Sequence, residues 1–207
     1  MPYGFMDIAL TPSVRAAQAE NDAAGLFENF EGDRAFDHFD DNAAAFIAER
    51  NSFYMASVSE TGWPYVQHRG GPTGFLKLLD ERRIGFLDFR GNRQYISLGN
   101  LSADNRVALF LMDYKRRRRM KMFARASYHD LTSEPELAAA LQLPDYGGVA
   151  ERAVVLTLEA YDWNCPQHIT KKFDAAEVKE AVSNLETRVA ELEKENAQLR
   201  LQSNEGA

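Results

Sequence analysis

The sequence contains one cysteine, Cys165, among its 207 residues. A single cysteine cannot close a disulfide within the chain, so the composition suits a reducing compartment, and the expected location is the cytoplasm. Long apolar runs are also missing. The strongest, Val107 to Met112 and the stretch from Ala43 to Ala48, fall well short of the ~18 to 20 residues that cross a bilayer. The segment Met1-Pro-Tyr-Gly-Phe-Met-Asp7 has an acidic residue and no basic stretch before an apolar core. The expectation is a soluble protein without a signal peptide. There is no Walker loop and no three-glycine dinucleotide fingerprint. No second cysteine is present to build a zinc site around Cys165 and His168.

Net basic charge is absent too: 24 Lys and Arg against 31 Asp and Glu leave −7. That excess is uneven. Residues 1–50 hold 3 basic and 10 acidic side chains (−7), residues 51–174 hold 17 and 14 (+3), and residues 175–207 hold 4 and 7 (−3). A net-acidic chain repels polyanions at long range, which argues against nucleic-acid and anionic-membrane partners. A local site for one small anion remains compatible with the basic middle.

Three regions follow from the pattern: an acidic, mainly helical lead-in over 1–50, a β domain over 51–174, and a C-terminal helix and tail over 175–207. Thr11-Pro12 starts one helix, with a hydroxyl cap and a proline tolerated at the first turn. A second helix is predicted over Asp40 to Glu49. Strands are predicted at Ser52–Ser59, Tyr65–Arg69, Phe75–Leu79, Arg83–Asp88, Arg106–Met112, Arg117–Tyr128 and Ala153–Asp162, separated by polar turns. Asn92 is expected to cap a short helix from Arg93, and Ser133-Glu-Pro-Glu136 resembles a capping box. Short hairpins and few helices point to a mainly β fold, a small β-barrel with flanking helices.

The C-terminal segment carries a heptad repeat. Val178, Leu185, Leu192 and Leu199 recur every seven residues, and Val182, Val189 and Asn196 each follow one of them by four. These are the d and a seams of a coiled coil. β-branched a residues with leucine at d favour two parallel strands, and a single polar a residue sets register. Arg188 faces a partner's Glu193 in that arrangement, and Glu195 faces Arg200. The expected partner is therefore a second copy of the chain.

Four segments hold candidate chemistry. In Tyr65-Val-Gln-His-Arg-Gly-Gly71, alternation puts Gln67 and Arg69 on one side of a strand and His68 on the other. Asp88-Phe-Arg-Gly-Asn-Arg-Gln94 runs from a strand end into a helix start, a place where free amides and Arg93 can hold a phosphate. Lys115-Arg-Arg-Arg-Arg-Met-Lys121 carries six positive charges in seven residues. Its alternation into Met120, Met122 and Ala124 makes it a hairpin tip with one or two arginines turned inward rather than a nucleic-acid arm, and Arg119 is left opposite Met120. Asp162-Trp-Asn-Cys-Pro-Gln-His168 combines the stacking area of Trp163 with the amides of Asn164 and Gln167, which suits a flat polar ligand. No metal is expected.

The order of Tyr54-Met-Ala-Ser-Val-Ser-Glu-Thr-Gly-Trp-Pro-Tyr65, Gln67-His-Arg-Gly-Gly-Pro72, Phe86-Leu-Asp-Phe-Arg-Gly-Asn-Arg-Gln94, Asn105-Arg-Val-Ala-Leu-Phe110 and Trp163-Asn-Cys-Pro-Gln-His168 resembles the pyridoxamine 5'-phosphate oxidase-like flavoproteins. The branch it resembles comprises predicted flavin-nucleotide-binding proteins. The resemblance spans roughly residues 40–172 and leaves the heptads outside it. It implies a split β-barrel homodimer with two FMN sites at the subunit interface. By position, Gln67, His68 and Arg69 would line the flavin, and Asp88 and Phe89 would meet the ring edge. Asn92, Arg93 and Gln94 match the phosphate-holding stretch, and Arg119 a ring-contacting position. Trp163, Asn164, Cys165, Gln167 and His168 would come from the other subunit. The oxidases' lysine at the end of the second strand falls at Pro72, and their C-terminal Arg and His have no counterpart, so the resemblance does not carry the vitamin substrate.

The resulting expectation is an FMN-dependent oxidoreductase acting on a small organic substrate. FMN supplies the redox reactivity, and the protein positions and tunes it; a cation such as Arg69 or Arg119 near the ring would raise its potential. Two alternatives follow from the same residues. One is a flavin-storing or flavin-sensing protein that signals through its coiled coil. The other is a haem-binding split barrel with His68, His129 or His168 as ligand.

Overall fold

The computed structural model describes residues 3–26, 38–163 and 166–205; Asn164 and Cys165 lie outside them. The chain divides into two compact units, Met1–Asp113 with Arg117–His168, and Tyr114–Arg116 with Ile169–Ala207.

The first unit holds helices α1 (Tyr3–Ala9), α2 (Pro12–Glu20) and α3 (Asp41–Ala48), then strands β1 (Ser52–Val58), β2 (Pro64–Gly70), β3 (Lys77–Leu78) and β4 (Arg83–Phe89). Helix α4 (Ile96–Ala103), strands β5 (Arg106–Asp113) and β6 (Arg118–His129), helix α5 (Pro135–Leu141) and strand β7 (Ala150–Trp163) complete it. All seven predicted strands form. The third shrinks to two residues, because Phe75 and Leu76 turn into the core ahead of the ladder.

The strands make one antiparallel sheet in the order β2-β1-β5-β6-β7-β4-β3. In a flat sheet β1 and β4, four steps apart, would be separated by roughly 19 Å at ~4.8 Å per step. Instead Phe53 of β1 meets Phe86 of β4 edge-on with ring centroids 5.4 Å apart, and Phe75 stacks on Phe53 at 5.9 Å. The sheet therefore curls around its apolar side into a small barrel.

Period-2 alternation supplies the filling. Phe53 and Met55 point inward from β1, Val107, Leu109 and Leu111 from β5, and Met120, Met122 and Ala124 from β6. On β7 a register shift opposite Phe123 and Ala124 moves the core-facing position from Leu158 to Tyr161. Such a bulge bends the strand and helps the sheet close.

Helix α3 adds Ala43, Phe46 and Ile47 to the core, and the Asp40 side chain accepts from the Ala43 amide at 2.7 Å to cap it. Arg50 then ties the helix end to β5. Its guanidinium donates to Phe46 O (3.0 Å), Met112 O (2.9 Å) and the buried Asp113 carboxylate (3.1 Å). The basic run behaves as an inward-turned hairpin end at one residue, since Arg118 lies 4.4 Å over the Trp163 ring and donates to Asn42 at 3.1 Å.

Two helix starts differ from expectation. Asn92 does not cap a helix at Arg93: it accepts from the Gln94 amide at 3.1 Å in a local turn, and α4 begins three residues later behind Tyr95. Ser133 does not cap α5 either. Asp130 accepts the Thr132 and Ser133 amides at 2.8 and 3.1 Å, and Glu134 precedes the helix with no side-chain cap. At the first, left-handed backbone at Arg93 and Tyr95 (φ 62 and 53) keeps the helix from starting there; at the second, an Asx-type turn at Asp130 occupies the residues ahead of the helix.

The second unit is dominated by α6 (Ala175–Glu205), 31 residues long. A reciprocal capping box starts it: the Glu177 amide donates to Asp174 at 2.8 Å, and the Asp174 amide donates to Glu177 at 3.0 Å. Lys115 pairs with Glu177 at 2.7 Å, and Lys172 lies 4.6 Å over the Tyr114 ring. The six apolar heptad residues are 45 to 66% exposed in the single chain. No helix among the described residues is long and apolar enough to cross a membrane.

Candidate functional site

Strand β2 presents Tyr65, Gln67 and Arg69 on one side and Val66 and His68 on the other, as its alternating exposure shows. The first set faces a polar cavity of about 200 Å³ whose wall also includes Asp88, Phe89, the loop from Gly91 to Tyr95, the start of α4 and Glu151. The cavity thus gathers Gln67, Arg69, Asp88, Phe89, Asn92, Arg93 and Gln94 from two distant stretches of sequence.

Its closed end is ionic. Arg69 Nη1 lies 3.2 Å from Asp88 Oδ1, and Arg152 Nη1 lies 3.5 Å from Asp88 Oδ2, all three side chains being 13 to 17% exposed. Burial pushes the Asp88 carboxyl above the usual aspartate range, while the two guanidiniums pull it back without reversing the shift. The same surroundings push the Tyr128 phenol up to about 12, burial acting first and the Asp88 charge second. Arg69 Nε and the Tyr128 hydroxyl are buried without hydrogen-bond partners among the described residues.

The open end is a helix start. Helix α4 has no side-chain cap among the described residues, so its first amides lack an intrahelical or capping partner, and Ile96, Ser97 and Leu98 line the cavity. Two side-chain bonds hold α4 in place: Ser97 donates to Gln67 at 2.9 Å, and Asn100 donates to Ser57 at 3.0 Å. Ahead of it, Arg93 and Tyr95 adopt left-handed backbone at φ 62 and 53. Non-glycine residues pay a conformational cost there, and such strain concentrates at binding sites. Arg69, Arg90 and Arg152 are paired with carboxylates. Arg93, by contrast, has no ion pair among the described residues. Free amides, a positive helix end and a guanidinium with no ion pair each favour negative charge.

Phe89 supplies the apolar wall. Its ring packs 4.8 Å from Tyr146, and the backbone of Gly148 passes so close that a Cβ there would sit 2.7 Å from Phe89 Cδ1. Glu151 accepts from Arg90 at 3.0 Å and from the Tyr95 hydroxyl at 3.1 Å, tying the loop to β7.

The remaining predicted residues stand elsewhere in the chain. His68 meets Tyr54 edge-on at 5.6 Å, and Arg119 lies 5.9 Å over Phe110. Both lie beside a second, apolar cavity of about 290 Å³ lined by Phe5, Tyr54, Val66, Phe110 and Phe123 among others. Trp163 packs edge-on against Phe46 at 4.8 Å. Gln167 and His168 are exposed. None of these five lines the polar cavity. Tyr65, Tyr95, Ser97 and Glu151 were not anticipated; only Tyr65 had a signal, being two residues from Gln67 on the same strand. A hydrogen-bonded row on β6, Ser127 to His129 at 2.8 Å and His129 to Glu134 at 2.7 Å, borders neither cavity.

The family profile described as "Pyridoxamine 5'-phosphate oxidase" matches residues 39–161, which include every strand but the last two residues of β7. The chain belongs to the pyridoxamine 5'-phosphate oxidase family. This is a flavin-binding protein family, and the polar cavity lies within the matched span. No curated protein matches the chain. Among solved structures, a candidate pyridoxamine 5'-phosphate oxidase from Lactobacillus delbrueckii is 20% identical, with 62% of this chain and 96% of that one covered and a TM-score of 0.47. An FMN-binding protein from Syntrophomonas wolfei subsp. wolfei is 15% identical over 74% and 95% of the two chains, at a TM-score of 0.44. A Clostridium acetobutylicum protein related to general stress protein 26 is 13% identical over 66% and 94%, at 0.41.

Proposed function

We propose that the protein is an FMN-dependent oxidoreductase that acts on a small organic substrate in the cytoplasm, as a homodimer. The observation that carries this reading is the uncapped start of α4 facing the same cavity as Arg93. A dianionic phosphate fits there, because amides, helix dipole and guanidinium all favour negative charge. Phe89 offers flat apolar surface, and the amides of Gln67 and Gln94 offer hydrogen bonds to a heterocycle.

FMN, when bound, supplies hydride and electron transfer to the site. The chain's own residues bind and orient. Arg93 and the α4 amides hold the phosphate, the Arg69–Asp88–Arg152 group sets the potential at the closed end, and Phe89 excludes water from one wall. Arg69, with a buried unpartnered Nε, is the cation best placed to stabilise added negative charge.

A cavity of about 200 Å³ is below the ~300 to 1,000 Å³ of usual small-molecule sites, which supports completion by a second subunit. The apolar cavity on the outer sheet face, with Tyr54 and Val66 41% and 60% exposed beside it, is the surface we assign to that contact. His68 and Arg119 border this face, and Trp163, Gln167 and His168 are the residues that the family resemblance brings from the partner.

Reconstitution with FMN followed by gel filtration tests the reading. A yellow protein with one flavin per chain and substrate-dependent turnover supports it. Flavin retention with no turnover across nicotinamide donors and a substrate panel would instead support storage or sensing.

A further inference from the structure

Helix α6 leaves six large apolar residues in one stripe, Val178, Val182, Leu185, Val189, Leu192 and Leu199, each 45 to 66% exposed. The stripe lies outside the span matched by the family, so it belongs to this chain's own design. A 31-residue helix with one exposed apolar seam is only marginally stable alone in water, since packing of the apolar face supplies most helix stability. Some partner must cover it, and the charges flanking the seam indicate which.

We propose that α6 pairs with α6 of a second copy of this chain in a parallel, in-register coiled coil over residues 178–199. In that register each g residue faces the partner's e residue five positions on. Arg188 meets the partner's Glu193, Glu195 meets the partner's Arg200, and Ala181 leaves Glu186 unopposed by a like charge. Asn196 faces the partner's Asn196, so the two amides satisfy each other.

The antiparallel alignment with full overlap fails on the same residues. It places Asn196 against the partner's Leu185, leaving a buried amide without a partner. It also brings Glu186 against the partner's Glu193, and Lys179 against the partner's Arg200. A different protein would have to reproduce this alternating charge order, whereas a second copy supplies it by symmetry. Within one helix, Arg188 contacts Glu191 at 3.0 Å with both side chains about 60% exposed. That pair is loose enough to exchange for the interhelical one.

The proposal stands on α6 alone and does not depend on the flavin site. The test uses the full chain in a Cys165→Ser background, with Leu199→Cys or Leu185→Cys at d positions and Thr187→Cys at an outward f position as control. Each is equilibrated in a glutathione redox buffer and run on a non-reducing gel, with helicity checked by circular dichroism. Both d variants should convert mostly to covalent dimer, at least tenfold faster than the control. If neither d variant cross-links, or if the control cross-links equally fast, the parallel coiled coil is overturned. Flavin content measured on the same samples separates the two proposals, because cross-linking without flavin leaves this one intact.

Discussion

Arg69 Nη1 and Asp88 Oδ1 lie 3.2 Å apart although four strands separate β2 from β4 in the sheet. Only a curled sheet can bring them together, so this pair marks the barrel seam as well as the floor of the cavity. Arg152, on β7 opposite Asp88 in the ladder, makes the group a triad.

Removing the central carboxylate should loosen the seam. Asp88→Asn leaves Arg69 without its counter-ion and Arg152 with Glu151 alone, at 2.9 Å. Exposed pairs are worth ~0 to 1 kcal/mol, and breaking fully buried ones costs ~3 to 5. At 13 to 17% exposure the expected loss is about 2 kcal/mol, read as a lower urea midpoint. A midpoint equal to wild type would show that the pair closes nothing.

Arg93→Ala should act on binding and not on folding. Arg93 is exposed and has no ion pair among the described residues, so the unfolding midpoint of the apo-protein stays put. Loss of one charge-assisted bond to phosphate costs about 2 kcal/mol, on the order of thirtyfold in Kd. Flavin fluorescence quenching measures this, and the effect should shrink as salt rises. An unchanged Kd would remove Arg93 from the phosphate site.

The seven strands, the Thr11 cap of α2 and the Gln67/Arg69 side of β2 were legible in the sequence, because period-2 alternation, capping residues and polar turns are local signals. The start of α4 was displaced by three residues, since Arg93 and Tyr95 take left-handed backbone that their side chains do not signal. Glu151 and Tyr95 were invisible: their meeting at 3.1 Å depends on where β7 runs past the loop. The Asp88–Arg152 pairing likewise rests on long-range strand register that no local pattern encodes.

Gly148 offers a steric probe. A methyl group there would lie 2.7 Å from Phe89 Cδ1 and 3.0 Å from Tyr146 Cε1. Gly148→Ala should therefore push the Phe89 ring toward the cavity and weaken flavin several-fold, with a stability cost of ~1 to 3 kcal/mol as for other overpacking. A titration matching wild type would mean that Phe89 does not bound the ligand.

Alkaline pH should expose Tyr128. Its folded value of about 12 exceeds the ~10 of an unfolded tyrosine, so the fold holds the neutral phenol. That contribution is complete below about pH 10 and is lost as pH rises toward 12. The thermal midpoint should fall over this range, and fall less steeply in Tyr128→Phe. Parallel slopes for the two proteins would show that Tyr128 titrates normally.

The most direct measurement is the visible spectrum of the purified full chain after incubation with FMN and removal of free ligand, with the released cofactor identified by mass. The expected result is a flavin band near one FMN per chain, weakened by Arg93→Ala. A folded protein that retains no flavin at any FMN concentration would contradict the assignment of the cavity between β2, β4 and α4 as the FMN site.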